Sequence, residues 1–147
     1  MSAHVRLTEG VFTPRQKQDR HKFLPLALCV VGLVFIFAIY PLTALWPSGW
    51  AWHSGRSEYL EMIVAVYATL GLFLFLAARD PARHLSLISF ALWSSVVHGL
   101  VMGVQAVVDP MHIHHLHGDV PVLFLLTAVL AYSAPEALRF PFTRSAA

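Results

Sequence analysis

Four apolar stretches, separated by short polar segments, dominate the pattern of hydrophobic and polar positions in this chain. They cover residues 23–45, about 57–78, 81–108 and 120–134, and the first contains no charged residue. An α-helix needs about 20 apolar residues to cross a bilayer. We therefore expect an all-α integral membrane protein built as a four-transmembrane-helix bundle over residues 23–134. The first stretch is too long for the apolar region of a signal peptide, so we expect it to be a retained span.

Prolines and aspartates mark the ends of these stretches. Pro41 is expected to kink the first helix or to end it near the outer interface. Asp80 is a suitable N-cap for a helix with Pro81 in its first position, and the tight turn there predicts that spans two and three are direct neighbours. Asp119 is expected to cap the fourth span.

The fourth stretch is short for a membrane span. Its 15 residues make roughly 22 Å of helix, against a hydrocarbon core of about 30 Å. Three outcomes are open. The helix continues past Pro135 toward Phe142, the bilayer and the flanking residues adapt to a short span, or Pro135 and Glu136 begin a short interfacial segment.

Basic residues alternate between the two sides of the four stretches. Apart from Arg56, all Lys and Arg residues precede the first stretch, lie at the turn that joins the second to the third, or follow the fourth. Because cytoplasmic flanks retain positive charge, residues 1–22 are predicted to be a basic cytoplasmic arm and residues 135–147 a cytoplasmic tail. With 57% hydrophobic and 12% charged residues, the chain is expected in the bacterial inner (plasma) membrane as a multi-pass protein. The arm is expected to bind anionic lipid headgroups and not nucleic acid, since it has no folded module.

In this topology the loops 46–57 and 109–119 lie on the outer side. The first loop carries Trp46, Trp50 and Trp52, which are predicted to form an aromatic belt in the headgroup region.

Polar residues inside the spans are candidates for function because they are costly in lipid. On the third span, His98 and Gln105 are spaced so that they share one helix face. Glu58 and Glu61 lie at a similar depth on the second span. If these faces meet, His98 and Glu61 could form an acid–base pair, with Glu58 and Gln105 beside it. The favoured alternative is that these side chains only hydrogen-bond neighbouring helices and stabilise their packing.

The loop 109–119 is rich in histidine, which suits Zn, Cu or Ni. The candidate ligands are His112, His114, His115 and His117, with His53 of the other outer loop as an additional one. Their spacing matches no specific metal motif, and a solvated, pH-sensitive surface is the favoured alternative. No cofactor is otherwise predicted. A bis-His haem would need a loop ligand, because His98 is the only histidine well inside a span.

Several short motifs resemble those of a family of small bacterial four-span membrane proteins known only as a domain of unknown function. They are Tyr40-Pro41-Leu42, Trp46-Pro47-Ser48-Gly49-Trp50, Ser57-Glu58-Tyr59, Tyr67-Ala68-Thr69-Leu70-Gly71, Ala78-Arg79-Asp80-Pro81, Trp93-Ser94-Ser95, His98, Gln105 and Gly118-Asp119-Val120-Pro121. The resemblance covers roughly residues 23–134. In architecture the chain also looks, more weakly, like the DoxX-like group of four-helix inner-membrane proteins. Neither resemblance implies a reaction.

Three functional hypotheses follow from the sequence. The leading one is a non-enzymatic accessory or assembly-type membrane protein, which packs in the bilayer against itself or a larger complex, because its loops are too short for a catalytic domain. The second is an intramembrane enzyme that acts on an apolar substrate through His98 and Glu61. The third is a metal- or haem-handling protein that uses the outer histidine loop.

Overall fold

The computed structural model describes residues 14–52 and 55–139, with side chains from residue 22 onward. Within these residues every regular element is helical, which confirms the predicted all-α class. The predicted arm and tail lie largely outside the described residues. The helices are α1 (Pro14–Phe37), α2 (Ile39–Leu45), α3 (Pro47–Trp50), α4 (Glu58–Ala77), α5 (Leu85–Val108), α6 (Asp119–Ser133) and α7 (Pro135–Arg139), with 3₁₀ turns at Pro81–His84 and Pro110–Leu116.

Three helical stretches are long and apolar enough to cross a membrane, namely Glu58–Ala77, Pro81–Val108 and Pro110–Ser133. A fourth is added if α1 and α2, which are bent by 49°, form one broken span. In the most apolar part of α4 only 22% of the residues are buried. An apolar surface of that extent is suited to contact with lipid, and the three to four helices therefore point to a membrane location.

The break between α1 and α2 lies at Ala38, three residues before Pro41. Pro41 has no N–H to donate to the carbonyl of Phe37, and its ring would clash with that carbonyl in a continuous helix. Helix α1 therefore ends at Phe37, and α2 begins at Ile39 in a new direction. Of the two outcomes expected for Pro41, the structure shows the kink.

Helix α1 packs against α4 and α6. It crosses α4 at Gly32 and Gly71, where the two backbones touch. A Cβ atom on either glycine would lie 2.6 Å from the carbonyl oxygen of the other. Small residues permit this close approach of helices in a membrane. The core around the crossing is apolar, with Leu28 and Leu74 fully buried.

Helices α4 and α5 are consecutive in the chain but contact each other only sparsely. Each packs mainly on another helix, α4 on α1 and α5 on α6. The expectation that spans two and three are direct neighbours therefore holds only in part. This loose packing leaves space in the bundle between α4 and α5.

Two N-caps predicted from the sequence are not formed. The Asp80 side chain makes no capping hydrogen bond, and its Oδ2 lies 3.9 Å from Nε of Arg83 instead. At α6 the N-cap is Gly118, while Asp119 is the first helical residue and its carboxyl is bound to His115. Both carboxylates therefore interact with a side chain of the neighbouring turn, and the Asp119 carboxyl also interacts with the backbone N–H of Val120.

Helix α6 ends at Ser133, and α7 begins after Ala134 as a separate short helix. The residue before a proline avoids the α conformation, and Ala134 accordingly has φ −135° and ψ 70°. Of the three outcomes expected after the fourth stretch, the structure shows a separate segment at Pro135.

Candidate functional site

A cavity of about 100 Å³ lies inside the bundle at the end where the two Trp- and His-containing loops meet. Its walls come from α1, α2, α4, α5, α6 and the segment that carries Trp50 and Trp52. Most of the lining is aliphatic. The polar side chains on its wall are Thr43, Trp50, Trp52, Tyr67, His98 and Asp119.

Tyr67 of α4 and His98 of α5 share a hydrogen bond of 3.0 Å between the phenol oxygen and Nδ1. The two rings meet edge to face, with centroids 5.7 Å apart, and Phe35 of α1 packs against the other side of Tyr67 at 4.9 Å. Both side chains are half-buried. The bond occupies Nδ1 of His98, so Nε2 is the ring nitrogen left to meet a ligand.

Asp119 and His115 form a second polar pair at the end of the cavity where the two loops meet. His115 is fully buried, and it donates from Nδ1 to Oδ2 of Asp119 over 2.9 Å, since a carboxylate can only accept. Trp52 stacks on the His115 ring with a centroid distance of 4.3 Å and an angle of 14°. The indole therefore shields this pair from water.

The close contact of Gly49 with Gly118 holds the two loops together. A Cβ atom on Gly118 would clash with the backbone of Gly49, so only glycine fits there. Gly49 belongs to α3, and Gly118 directly precedes Asp119. This contact brings the tryptophan segment onto the start of α6.

Three buried polar atoms have no hydrogen-bond partner among the described residues: Nε1 of Trp50, Nε2 of His115 and Oδ1 of Asp119. Trp50 and Asp119 both line the cavity. Native proteins pair almost all buried polar groups with protein atoms or with ordered water. Nε1 of Trp50 and Oδ1 of Asp119 are themselves fully buried, so other atoms of these two residues form the cavity wall.

The structure does not bring Glu61 to His98. The Glu61 carboxylate is held by Arg56, with Nε to Oε1 at 2.9 Å and Nη2 to Oε2 at 3.2 Å. The hydrogen bond from Arg56 to Glu61 raises the pKa of the guanidinium. This pair lies in a separate surface groove between α2 and α4. Glu58 and Gln105 are exposed and do not line the cavity.

The histidine side chains of the loop 109–119 do not converge on one point. His115 points inward to Asp119, while His112 packs on Trp52 at 4.4 Å and its Nε2 lies 3.7 Å from Oδ2 of Asp109. His114 and His117 are exposed. Among the residues with described coordinates, no three His, Cys, Asp or Glu side chains are grouped so that they could hold a metal ion. His53 lies outside the described residues.

Comparison with protein families gives a match over residues 18–140 to DUF6632, a family of unknown function. The chain belongs to DUF6632. This agrees with the resemblance to a family of unknown function seen in the motifs. No curated protein and no solved structure matches the chain.

In this DUF6632 chain, two of the three tryptophans predicted to form an interfacial belt line the cavity. Trp50 and Trp52 are half-buried and line it, whereas Trp46 is exposed. The sequence pattern predicted Asp119 as a helix cap and did not single out Tyr67 as a polar residue of the site. A signal for the Asp119 pair was present, because His115 precedes Asp119 by four residues in the chain.

Proposed function

We propose that this protein is a non-enzymatic integral membrane protein that binds a small, mainly apolar molecule inside its helix bundle. The observation that carries this proposal is the cavity of about 100 Å³, which is lined by aliphatic side chains and a few polar ones. Ligand sites in proteins have this composition, with a few polar groups that fix orientation. An engineered apolar cavity of about 150 Å³ binds benzene, so this one suits a smaller molecule or the end of a longer one.

The distribution of basic residues supports an orientation for the site. Arg79 and Arg83 flank the turn between α4 and α5, at the opposite end of those helices from Trp52 and Asp119. Under the positive-inside rule this turn is cytoplasmic. We therefore propose four spans with both termini in the cytoplasm of a bacterial inner membrane, and a cavity near the outer surface.

The non-enzymatic role rests on the separation of the candidate acid–base residues. His98 is bonded to Tyr67, and Glu61 is bonded to Arg56 on the surface. No carboxylate is hydrogen-bonded to His98 among the described residues. We propose an accessory role in which the bound molecule stabilises the bundle or its assembly with a second copy or a larger membrane complex.

An intramembrane enzyme is the second candidate, because His98 lines the same cavity. In that case the Tyr67–His98 pair would be the proton-transfer group, and Glu61 would have no part in it. The two candidates are distinguished by turnover. Binding without chemical change of the bound molecule favours the first.

Photolabelling of the full chain in lipid nanodiscs tests the binding proposal. The probe is a short alkyl diazirine without polar groups, and labelled peptides are mapped by mass spectrometry. We expect saturable labelling of α4 and α6 at the cavity. Val122→Phe and Val64→Phe, which fill the cavity from two helices, should abolish it. Val104→Phe, on an exposed face of α5, should leave it unchanged. Labelling that does not saturate, or that survives both filling variants, would overturn the proposal.

A further inference from the structure

The cavity inside the bundle adjoins the surface groove between α2 and α4. The groove has a volume of about 660 Å³, and the cavity has a volume of about 100 Å³. Thr43 of α2 and Leu60 of α4 line both spaces, and both are half-buried. The groove and the cavity therefore meet at these two side chains, one space on the surface and the other behind it.

The boundary between the two spaces consists of side chains that are not fixed across it. The Thr43 hydroxyl donates to the carbonyl of Tyr40 in its own helix over 2.7 Å, so the hydrogen of this hydroxyl is used within α2. The Leu60 side chain is aliphatic, and α2 and α4 contact each other only sparsely. Side-chain rotamers change on a far shorter timescale than helices move. A molecule can therefore pass from the groove to the cavity without a rearrangement of the bundle.

The groove carries one positive and one negative charge. Arg56 and Glu61 are the charged residues that line it, and their side chains are 77% and 42% exposed. Arg56 uses two of its five N–H groups on Glu61. The other N–H groups can donate to an anion, and each oxygen of a carboxylate has a further lone pair for a donor. The pair can thus bind a cation and an anion at once without being broken.

We infer that the groove and the cavity form one continuous site for a single-chain amphiphile with a zwitterionic phosphoethanolamine head. The phosphate accepts from Arg56, and the primary ammonium donates to Glu61. The hydrocarbon chain passes between Thr43 and Leu60 into the aliphatic cavity. This inference rests on the proposed binding function and specifies its ligand class.

Other heads and chains match the two spaces less well. A purely anionic head is attracted by Arg56 but repelled by Glu61, and a purely cationic head meets the reverse. A quaternary ammonium has no N–H to donate to the carboxylate. The cavity is smaller than the engineered one of about 150 Å³ that binds benzene, so it has room for one chain and not for two.

The test measures displacement of the short alkyl diazirine from the cavity of the full chain. The nanodiscs consist of phosphatidylglycerol, so that the bilayer supplies no zwitterionic head. Three unlabelled amphiphiles share one short alkyl chain and end in a phosphoethanolamine, a phosphate monoester or a primary ammonium. Their membrane concentrations are measured with empty nanodiscs. We expect the phosphoethanolamine to halve the labelling at an about threefold lower concentration than the other two, the modest preference that exposed ion pairs give.

Substitutions in the groove should change this ranking one charge at a time. Arg56→Gln should abolish the preference over the ammonium amphiphile, and Glu61→Gln should abolish the preference over the phosphate monoester. Arg83→Gln and Asp80→Asn are the matched controls, because this exposed pair lies at the other end of α4 and lines neither space. Both should keep the wild-type ranking. Saturable labelling without any amphiphile shows that each variant is folded.

The outcomes separate the two proposals. If the three amphiphiles displace the diazirine equally, or if none displaces it, the continuous site is overturned while apolar binding stands. A ranking that Arg56→Gln and Glu61→Gln leave unchanged overturns it as well. If the diazirine itself does not label the wild-type cavity saturably, the binding function is overturned. The wild-type ranking decides the inference even where a variant does not fold.

Discussion

The phenol oxygen of Tyr67 lies 3.0 Å from Nδ1 of His98 and joins α4 to α5, two helices that otherwise pack sparsely against each other. This hydrogen bond crosses the bundle beside the cavity. It therefore has two effects. It holds two loosely packed helices together, and it fixes the orientation of the His98 imidazole ring.

Removing the Tyr67 hydroxyl should weaken the bundle. We expect Tyr67→Phe to lower the free energy of unfolding by about 0.5–1.5 kcal/mol, because hydrogen bonds between helices in membranes are worth about that much. The measurement is equilibrium unfolding in a mild detergent. Tyr59→Phe is the control, as Tyr59 is 78% exposed. An equal loss for the two variants would show that the bond to His98 contributes nothing.

Breaking the buried pair at the start of α6 should cost more. We expect His115→Phe, which keeps a ring against Trp52, to lower the unfolding free energy by about 1.5–3 kcal/mol, because it leaves the Asp119 carboxyl without its partner. The exposed His114 provides the control His114→Phe. In the double variant His115→Phe/Asp119→Leu no buried carboxyl remains, so part of the loss should be recovered. A double variant less stable than His115→Phe would contradict the importance of this pair.

The crossing of α1 and α4 should tolerate no added atom. Gly71→Ala places a Cβ 2.6 Å from the carbonyl oxygen of Gly32 and 2.8 Å from Cβ of Phe35. We expect a loss of about 1–3 kcal/mol from overpacking. Gly103→Ala is a matched control, since its Cβ would meet nothing closer than Val120 at 3.8 Å. Thermal unfolding of both variants in the same detergent decides the question, and similar transition temperatures would rule out a tight crossing.

Placing a residue with a backbone N–H at position 41 should straighten the bend between α1 and α2. In Pro41→Ala the new N–H can donate to the carbonyl of Phe37. We expect the separation of spin labels at Leu26→Cys and Leu45→Cys, in a Cys29→Ser background, to lengthen by about 2 Å as the 49° bend relaxes. Both label sites are exposed. An unchanged distance would assign the bend to tertiary packing and not to the proline.

The proposed orientation can be read from cysteine accessibility in intact cells. In a Cys29→Ser background, we expect Glu58→Cys to react with a membrane-impermeant maleimide and Ala82→Cys to react only after the membrane is opened. Both positions are exposed, and neither substitution removes a basic residue. The reverse pattern would invert the topology and place the cavity on the cytoplasmic side.

Much of the helical framework is predictable because its signals are local. The apolar stretches, Pro41 and Pro135 each act on the residues beside them, and the elements begin or end there. The partners of the polar side chains are not predictable in this way. The rotation of α4 about its axis depends on the crossing at Gly32 and Gly71, which are distant in sequence, and that rotation brings Tyr67 to the inside.

A local ion pair also keeps Glu61, one of the predicted site residues, away from the cavity. Arg56 precedes Glu61 by five residues and binds it on the surface, so the sequence contained this competing partner. The tryptophan segment is the opposite case. Trp50 and Trp52 turn inward because Gly49 contacts Gly118, and composition cannot reveal a contact between two loops.

The cavity wall is contributed by every long helix of the bundle, so a molecule that binds there binds only the folded protein. By mass action, such a ligand at one hundred times its dissociation constant adds about 2.7 kcal/mol to the apparent stability. That exceeds the contribution expected from the Tyr67–His98 bond. The melting temperature of the purified protein should therefore rise with the concentration of the small apolar molecule that occupies the cavity.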